Sequence, residues 1–199
     1  ASKYPARITP LCSVHPGWGD LALREIERCS QGGAVGIGEL HPTSQNIDIA
    51  SDNVFNSLMR TAEELGLFVV VHGSEPIGHA YPGKGNVSIR QQAALAQNFP
   101  NTKIIFAHWG GGLFLYSLMP EIRQILSNVY FDTAASPLLY DRHIFPVAGL
   151  TLGNDHILLG SDFPLIRPRR VIEQARSALN PGEFAEIAWN NGQRLLRES

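Results

Sequence analysis

Short runs of β-branched and aromatic residues alternate along the chain with longer stretches whose apolar residues recur every three or four positions. That alternation predicts repeated strand–helix units around a parallel sheet. The strands are expected at 8–14, 34–39, 68–72, 103–107, 129–132 and 157–159, giving about six units. Several of these runs are almost uninterrupted in their apolar character, as in Phe-Val-Val-Val at 68–71, which suits strands covered on both faces. The clearest helix covers 20–31: Asp20 is a candidate cap, Leu21, Leu23, Ile26 and Cys29 form the expected stripe, and Gly32-Gly33 ends it. A second covers 52–65, capped by Asp52, with Val54, Phe55, Leu58, Met59, Ala62 and Leu65 as its apolar side and Gly66 as its stop. Further helices are expected at 88–98, 116–127, 140–150, 169–178 and 181–197. The Gly/Pro-rich stretch 74–85 is the longest expected loop.

The pattern alone leaves open how the sheet closes. Six units are too few for an eight-stranded barrel, and an open sheet has edges that need cover. The expectation is one domain over residues 1–199 that lacks N-terminal units, with two further units upstream or self-association covering the opening.

Composition narrows the partners. Of the 199 residues 44% are hydrophobic and only 17% charged, below the usual ~25%, in keeping with a layered, well-buried fold. The formal net charge is −2 and no basic run occurs, so neither a nucleic-acid footprint nor a polybasic membrane anchor is present. A small-molecule partner is expected, with a homo-oligomer as an option. Cys12 and Cys29 form no CxxC pair and give neither a disulfide framework nor a structural zinc pattern. With no apolar stretch near the ~20 residues that span a bilayer, the expected location is the cytoplasm.

The chemistry concentrates at one kind of position. Glu39, His72, His108 and Asp132 each end a predicted strand, and Asp162 follows Leu-Leu-Gly-Ser. In a parallel barrel such ends converge on one rim. Imidazoles and carboxylates meeting there suit a divalent ion, zinc first, with a water as nucleophile and a neighbouring carboxylate to take its proton. Asp162 is the first choice for that proton. Each residue also has a plainer role: Asp132 a hydrogen-bonded strand end, Glu39 a salt bridge across the rim, His15 a turn residue. His41, His79, His143 and His156 carry weak signals one by one. Trp109-Gly110-Gly111-Gly112 invites comparison with a phosphate cradle, but it lacks the Lys-Ser/Thr of a P-loop and the spacing of a dinucleotide fingerprint.

Taken together, Gly-Ile-Gly-Glu at 36–39, Val-Val-Val-His-Gly-Ser-Glu-Pro at 69–76, Gly-His-Ala-Tyr-Pro-Gly-Lys-Gly at 78–85, Phe-Ala-His-Trp-Gly-Gly-Gly at 106–112 and Gly-Ser-Asp-Phe-Pro at 160–164 resemble the amidohydrolase-related branch of the amidohydrolase superfamily. The resemblance runs over essentially the whole chain. It implies an α/β fold of the TIM-type (β/α)8 barrel class, with strands three to eight present here. It also implies His72 as the fifth-strand metal ligand, His108 as a sixth-strand ligand or acid/base, Asp162 as the eighth-strand aspartate, and Glu39 as a fourth-strand group that can bridge two metals. The family's first-strand His-x-His pair is absent from this sequence. If these residues were the whole molecule, the site would be poorer by two ligands; a fragment would explain the gap.

The function expected from this resemblance is metal-dependent hydrolysis of a small carbonyl substrate, with Asp162 and His108 catalytic and His72, His108, Asp162 and Glu39 at the metal. The alternatives are a non-oxidative decarboxylase of aromatic or muconate-type acids, and an inactive scaffold. Trp109, His79, Tyr81 and Lys84 are the expected substrate contacts, an aromatic face and polar groups suited to a small carboxylated or cyclic molecule; Lys84 and Tyr81 could equally just fix the long loop.

Overall fold

The computed structural model describes residues 3–4 and 7–197. Among them, five parallel strands form one sheet in sequence order: β1 Gly36–Leu40, β2 Phe68–Val71, β3 Ile104–Phe106, β4 Val129–Asp132 and β5 Ile157–Leu158. The register places Val69 beside Ile104, Ile104 beside Val129, and Phe131 beside Ile157. The predicted strand at 8–14 is reduced to a single parallel bridge between Cys12 and Ile37, held by Cys12 N–H to Gly36 O and Gly38 N–H to Cys12 O, both 2.8 Å. Pro10 offers no N–H to a ladder and Pro16 closes the segment on the other side, so pairing cannot extend far in either direction.

Helices follow the strands: α1 Asp20–Gln31, α2 Pro42–Gln45, α3 Asn53–Glu64, α4 Ile89–Asn98, α5 Pro120–Ile125, α6 Ser136–Leu139, α7 Ile144–Thr151, α8 Pro168–Arg176, α9 Pro181–Ala185 and α10 Asn191–Arg197. A π-helical turn, Glu186–Asn190, joins the last two, so the predicted helix over 181–197 is present with a defect at its middle. Asp52 caps α3 by accepting from the N–H groups of Val54 and Phe55, and Ser88 and Gln91 make a reciprocal capping box on α4. Asp20 does not cap: it is already helical, and Gly19 precedes it as N-cap. The predicted apolar stripe of α1 shifts accordingly, with Ala22 and Ile26 buried and Leu21 64% exposed.

Two expected helices start late. The segment 108–118 is instead a tight turn followed by 3-10 structure, and Pro120, favourable at a first helical turn, begins α5. Residues 140–143 remain outside α7.

The sheet separates two cores by its period of two. Ile37, Val69, Val71, Ile104, Phe106, Val129, Phe131 and Ile157 face the helices in one large cluster. Phe68, Val70, Ile105 and Ala107 face the other way, where Leu195 of α10 packs against them together with Val35, Tyr130 and Leu158. Each large side chain buried this way contributes roughly 1.5–3 kcal/mol of transfer free energy. The arrangement is an open (β/α) barrel whose inner face the C-terminal helix stops from one side, leaving the carboxyl ends of the strands free for chemistry.

Candidate metal centre

The carboxyl ends of β1, β2 and β3 bring Glu39, His72 and His108 together. Among the described residues these are the His, Cys, Asp and Glu side chains able to close on one ion, with one donor atom from each lying within 4.8 Å of the others. His72 Nδ1 is 2.8 Å from Glu39 Oε1, and His108 Nε2 is 3.7 Å from the same oxygen. Both imidazoles are buried, while the Glu39 side chain keeps 37% of its exposure and faces the opening. Burial alone would raise the Glu39 carboxyl, but the His72 hydrogen bond and the charges of His72, His108 and His41 outweigh it and hold the group below the usual carboxylate range.

Hydrogen bonds set the ring nitrogens. His108 Nδ1 lies 3.0 Å from Ala134 O, which can only accept, so Nδ1 donates there and Nε2 is the nitrogen turned towards Glu39. His72 Nε2 lies 2.9 Å from Ser74 Oγ, a hydroxyl that donates or accepts. Glu39 Oε1 can only accept, so His72 Nδ1 donates to it, and Ser74 Oγ, which accepts from Gly85 N–H at 2.9 Å, gives its own proton to Nε2; a cation held here would take the place of the Nδ1 proton. Two imidazoles and a carboxylate at this spacing fit a divalent cation of the zinc or manganese type.

Several residues hold this arrangement without reaching the centre. Asp132 accepts at one oxygen from the N–H of His108, 3.0 Å, and of Ala134, 2.9 Å. Burial pushes its carboxyl above the usual range, against the opposing pull of His108 and those two N–H groups. Its plainer role, a hydrogen-bonded strand end, is therefore present in the structure. It anchors a His108 backbone that adopts φ 54°, a left-handed conformation that side-chain-bearing residues rarely take and that costs of order 1–3 kcal/mol. His41 stacks on His72 at 4.1 Å between ring centroids. Its Nδ1 accepts from Ser44 N–H and its Nε2 donates to Gly83 O, 2.9 Å, so both nitrogens are committed and the ring acts as a flat support. Neither His41 nor Ser74 stands out in the sequence. The only hint is that each lies two residues beyond a ligand candidate, Glu39 and His72.

The centre opens into a cavity of about 390 Å³ bordered by the polar or aromatic His41, His72, His79, Tyr81 and His108 and by the apolar Ala135, Leu138, Leu139 and Leu165. Asp162 lines the same cavity from the loop after β5, outside the close three-residue group, with φ 64°. His79 and Tyr81, expected at the substrate, also border it.

Trp109 and Lys84 do not. Trp109 is fully buried among Phe114 and Phe145, with its indole N–H donating to Ser136 Oγ at 3.1 Å, because the left-handed turn at 108–112 throws its side chain into the core. Lys84 Nζ donates to Ile77 O at 2.7 Å and His79 O at 3.0 Å and lies over the Tyr81 ring, which makes it the internal tie of its loop. The glycine run is no phosphate cradle either: a Cβ on Gly111 would sit 2.2 Å from Ser74 O, so protein backbone fills the space an anion would need.

The family model described as Amidohydrolase matches residues 1–197. By fold, the chain is similar to a dihydroxybenzoic acid decarboxylase from Polaromonas sp. JS666 with bound manganese (20% identity, TM-score 0.75, 98% of this chain and 71% of that one). It is similar to 5-carboxyvanillate decarboxylase from Sphingomonas paucimobilis (17%, TM-score 0.72, 98% and 68%) and to a TIM-barrel protein from Bordetella bronchiseptica (16%, TM-score 0.75, 100% and 69%). No curated protein matches the sequence. At these identities the likeness carries the fold, a TIM-type barrel.

Proposed function

The chain belongs to the amidohydrolase family, and from that premise we propose that it acts as a metal-dependent hydrolase on a small carbonyl compound. The observation that carries this reading is the Glu39–His72–His108 group facing a cavity that Asp162 also borders. Glu39, His72 and His108 would hold a divalent cation, which would supply Lewis-acid polarisation of a carbonyl oxygen and lower the pKa of water to ~7.

The chain's own residues do the rest. Asp162, at the cavity wall, takes the proton of the attacking water and returns it to the leaving group. His108, anchored by Asp132 and Ala134, keeps Nε2 turned to the reacting carbonyl or to the ion. His41 and Ser74 keep His72 from turning away. His79, Tyr81 and the leucines Leu138, Leu139 and Leu165 border the space a substrate would enter.

The same leucine wall favours a second reading, a decarboxylase of a ring-bearing acid, because Leu138, Leu139 and Leu165 would pack against a flat apolar ring. One experiment separates the readings. Purified protein is analysed for metal, then assayed against lactones and against aromatic acids with carbon dioxide trapped. About one equivalent of metal, lost in His72→Ala, with turnover of lactones and no carbon dioxide, supports the hydrolase. Asp162→Asn should keep the metal and lower kcat by about 10²-fold or more. Full activity in that variant removes Asp162 from the mechanism, and wild-type protein with neither metal nor turnover leaves the scaffold reading.

A further inference from the structure

Among the described residues, six large apolar side chains stand exposed in two neighbouring segments: Leu115, Tyr116, Leu118 and Met119 after the turn at 108–112, and Val147 and Leu150 of α7. Local geometry puts them outside. Residues 113–118 form 3-10 structure, whose three residues per turn set Phe114 and Ser117 on the buried side and Leu115 and Leu118 on another ridge. In α7 Phe145 and Ala148 face the core, which leaves Val147 and Leu150 to solvent. Leu118 is 68% and Leu150 84% exposed.

Hydrogen bonds hold the two ridges side by side. Ser117 Oγ donates to Thr151 O at 2.9 Å, and the Arg123 guanidinium donates to Ser117 O and to Thr151 O, so Leu118 and Leu150 flank a closed seam. The side chains of 109–120 and 144–154 carry no formal charge. None of the six borders the cavity at the carboxyl ends of the strands. The segments that supply the surface follow β3 and β4, which both lie inside the sheet order, so a unit added at either edge would pack beside β1 or β5 rather than over this surface.

We infer that this surface is where a second copy of the chain docks, forming a two-fold homodimer. A two-fold contact sets each residue near the axis against its own counterpart, so a charge there would meet the same charge, and an uncharged apolar face is the kind that complements itself. At these exposures the six side chains offer on the order of 600 Å² of apolar area, at the upper end for the largest patch of a monomer and most of the ~800 Å² that each partner brings to a standard interface. Leu118 and Leu150, the most exposed of the six, have the most to bury.

Sedimentation velocity of the purified chain tests this without substrate or metal. At about 10 μM the wild type should sediment as two chains, whereas Leu118→Asp and Leu150→Asp should each weaken the dimer about 100-fold or more, because every dimer would then bury two carboxylates on an apolar face. Leu21→Asp, which alters a similarly exposed leucine on α1, should stay dimeric. The urea midpoint of each variant shows whether it is folded. Hydrogen exchange of the wild type needs no variant at all and decides the matter where one unfolds: on dilution from about 100 to about 1 μM the amides of 115–119 and 147–151 should exchange faster while those of α1 stay unchanged. A wild type still monomeric at about 100 μM overturns the proposal. So does a dimer that both folded aspartate variants retain, or one whose dissociation changes exchange only outside these two segments.

Discussion

At the scale of single residues, the positions of Glu39, His72, His108 and Asp162 were legible because each polar group follows an apolar run, and strand ends are where a parallel sheet exposes side chains to one rim. What supports them was not legible. His41 and Ser74 act through a ring stack and a hydroxyl contact that only the folded chain brings about. Trp109 misleads for a related reason, since an aromatic residue before three glycines looks like a loop residue until the backbone hand is known. The cysteines show how burial changes chemistry. Cys12 is 1% exposed and donates to Glu25 O, and burial first, then neighbouring Cys29, pushes its thiol up to about 12 from an ordinary 9.0. The folded pKa is the higher one, so the stabilising effect of the protonated thiol is complete below pH 9 and is lost as pH rises from 9 towards about 12. Urea midpoints measured across that window should fall with pH, and fall less steeply in Cys12→Ala. Parallel curves for the two proteins would contradict the assignment.

At the scale of elements, the Asp52 cap was legible because it needs no partner from elsewhere. The capping box of Ser88 and Gln91 is as local but was not read, and Asp20 is helical rather than a cap. Sequence reading also failed where packing decides. The helix expected from 116 gives way to 3-10 structure because the turn at 108–112 must lie flat on the strand-end backbone of Gly73 and Ser74. Gly111 makes that approach possible, with φ 59° and no Cβ against Ser74 O. Gly111→Ala should therefore destabilise the protein by about 2–4 kcal/mol, read from urea unfolding. Stability within about 0.5 kcal/mol of wild type would mean that the two backbones can part without cost.

At the scale of the whole molecule, the alternation of strand and helix signals was enough to predict a parallel sheet with helices on its outer face. The way the inner face is covered was not predictable, because α10 reads as an ordinary amphipathic helix and nothing in its sequence names Phe68, Val70 and Ile105 as its neighbours. Leu195 is 3% exposed against them, so Leu195→Ala should cost about 2–5 kcal/mol in urea unfolding, whereas a loss below about 1 kcal/mol would show that the inner face is held by other means. The same contact orders events during synthesis. The strands leave the ribosome in the sequence in which they stand side by side, so the helix-covered face can assemble unit by unit. The inner face closes last: Phe68 and Ile105 gain their contact with Leu195 only once residue 195 has emerged, so that part of the apolar surface is completed after every strand is already made.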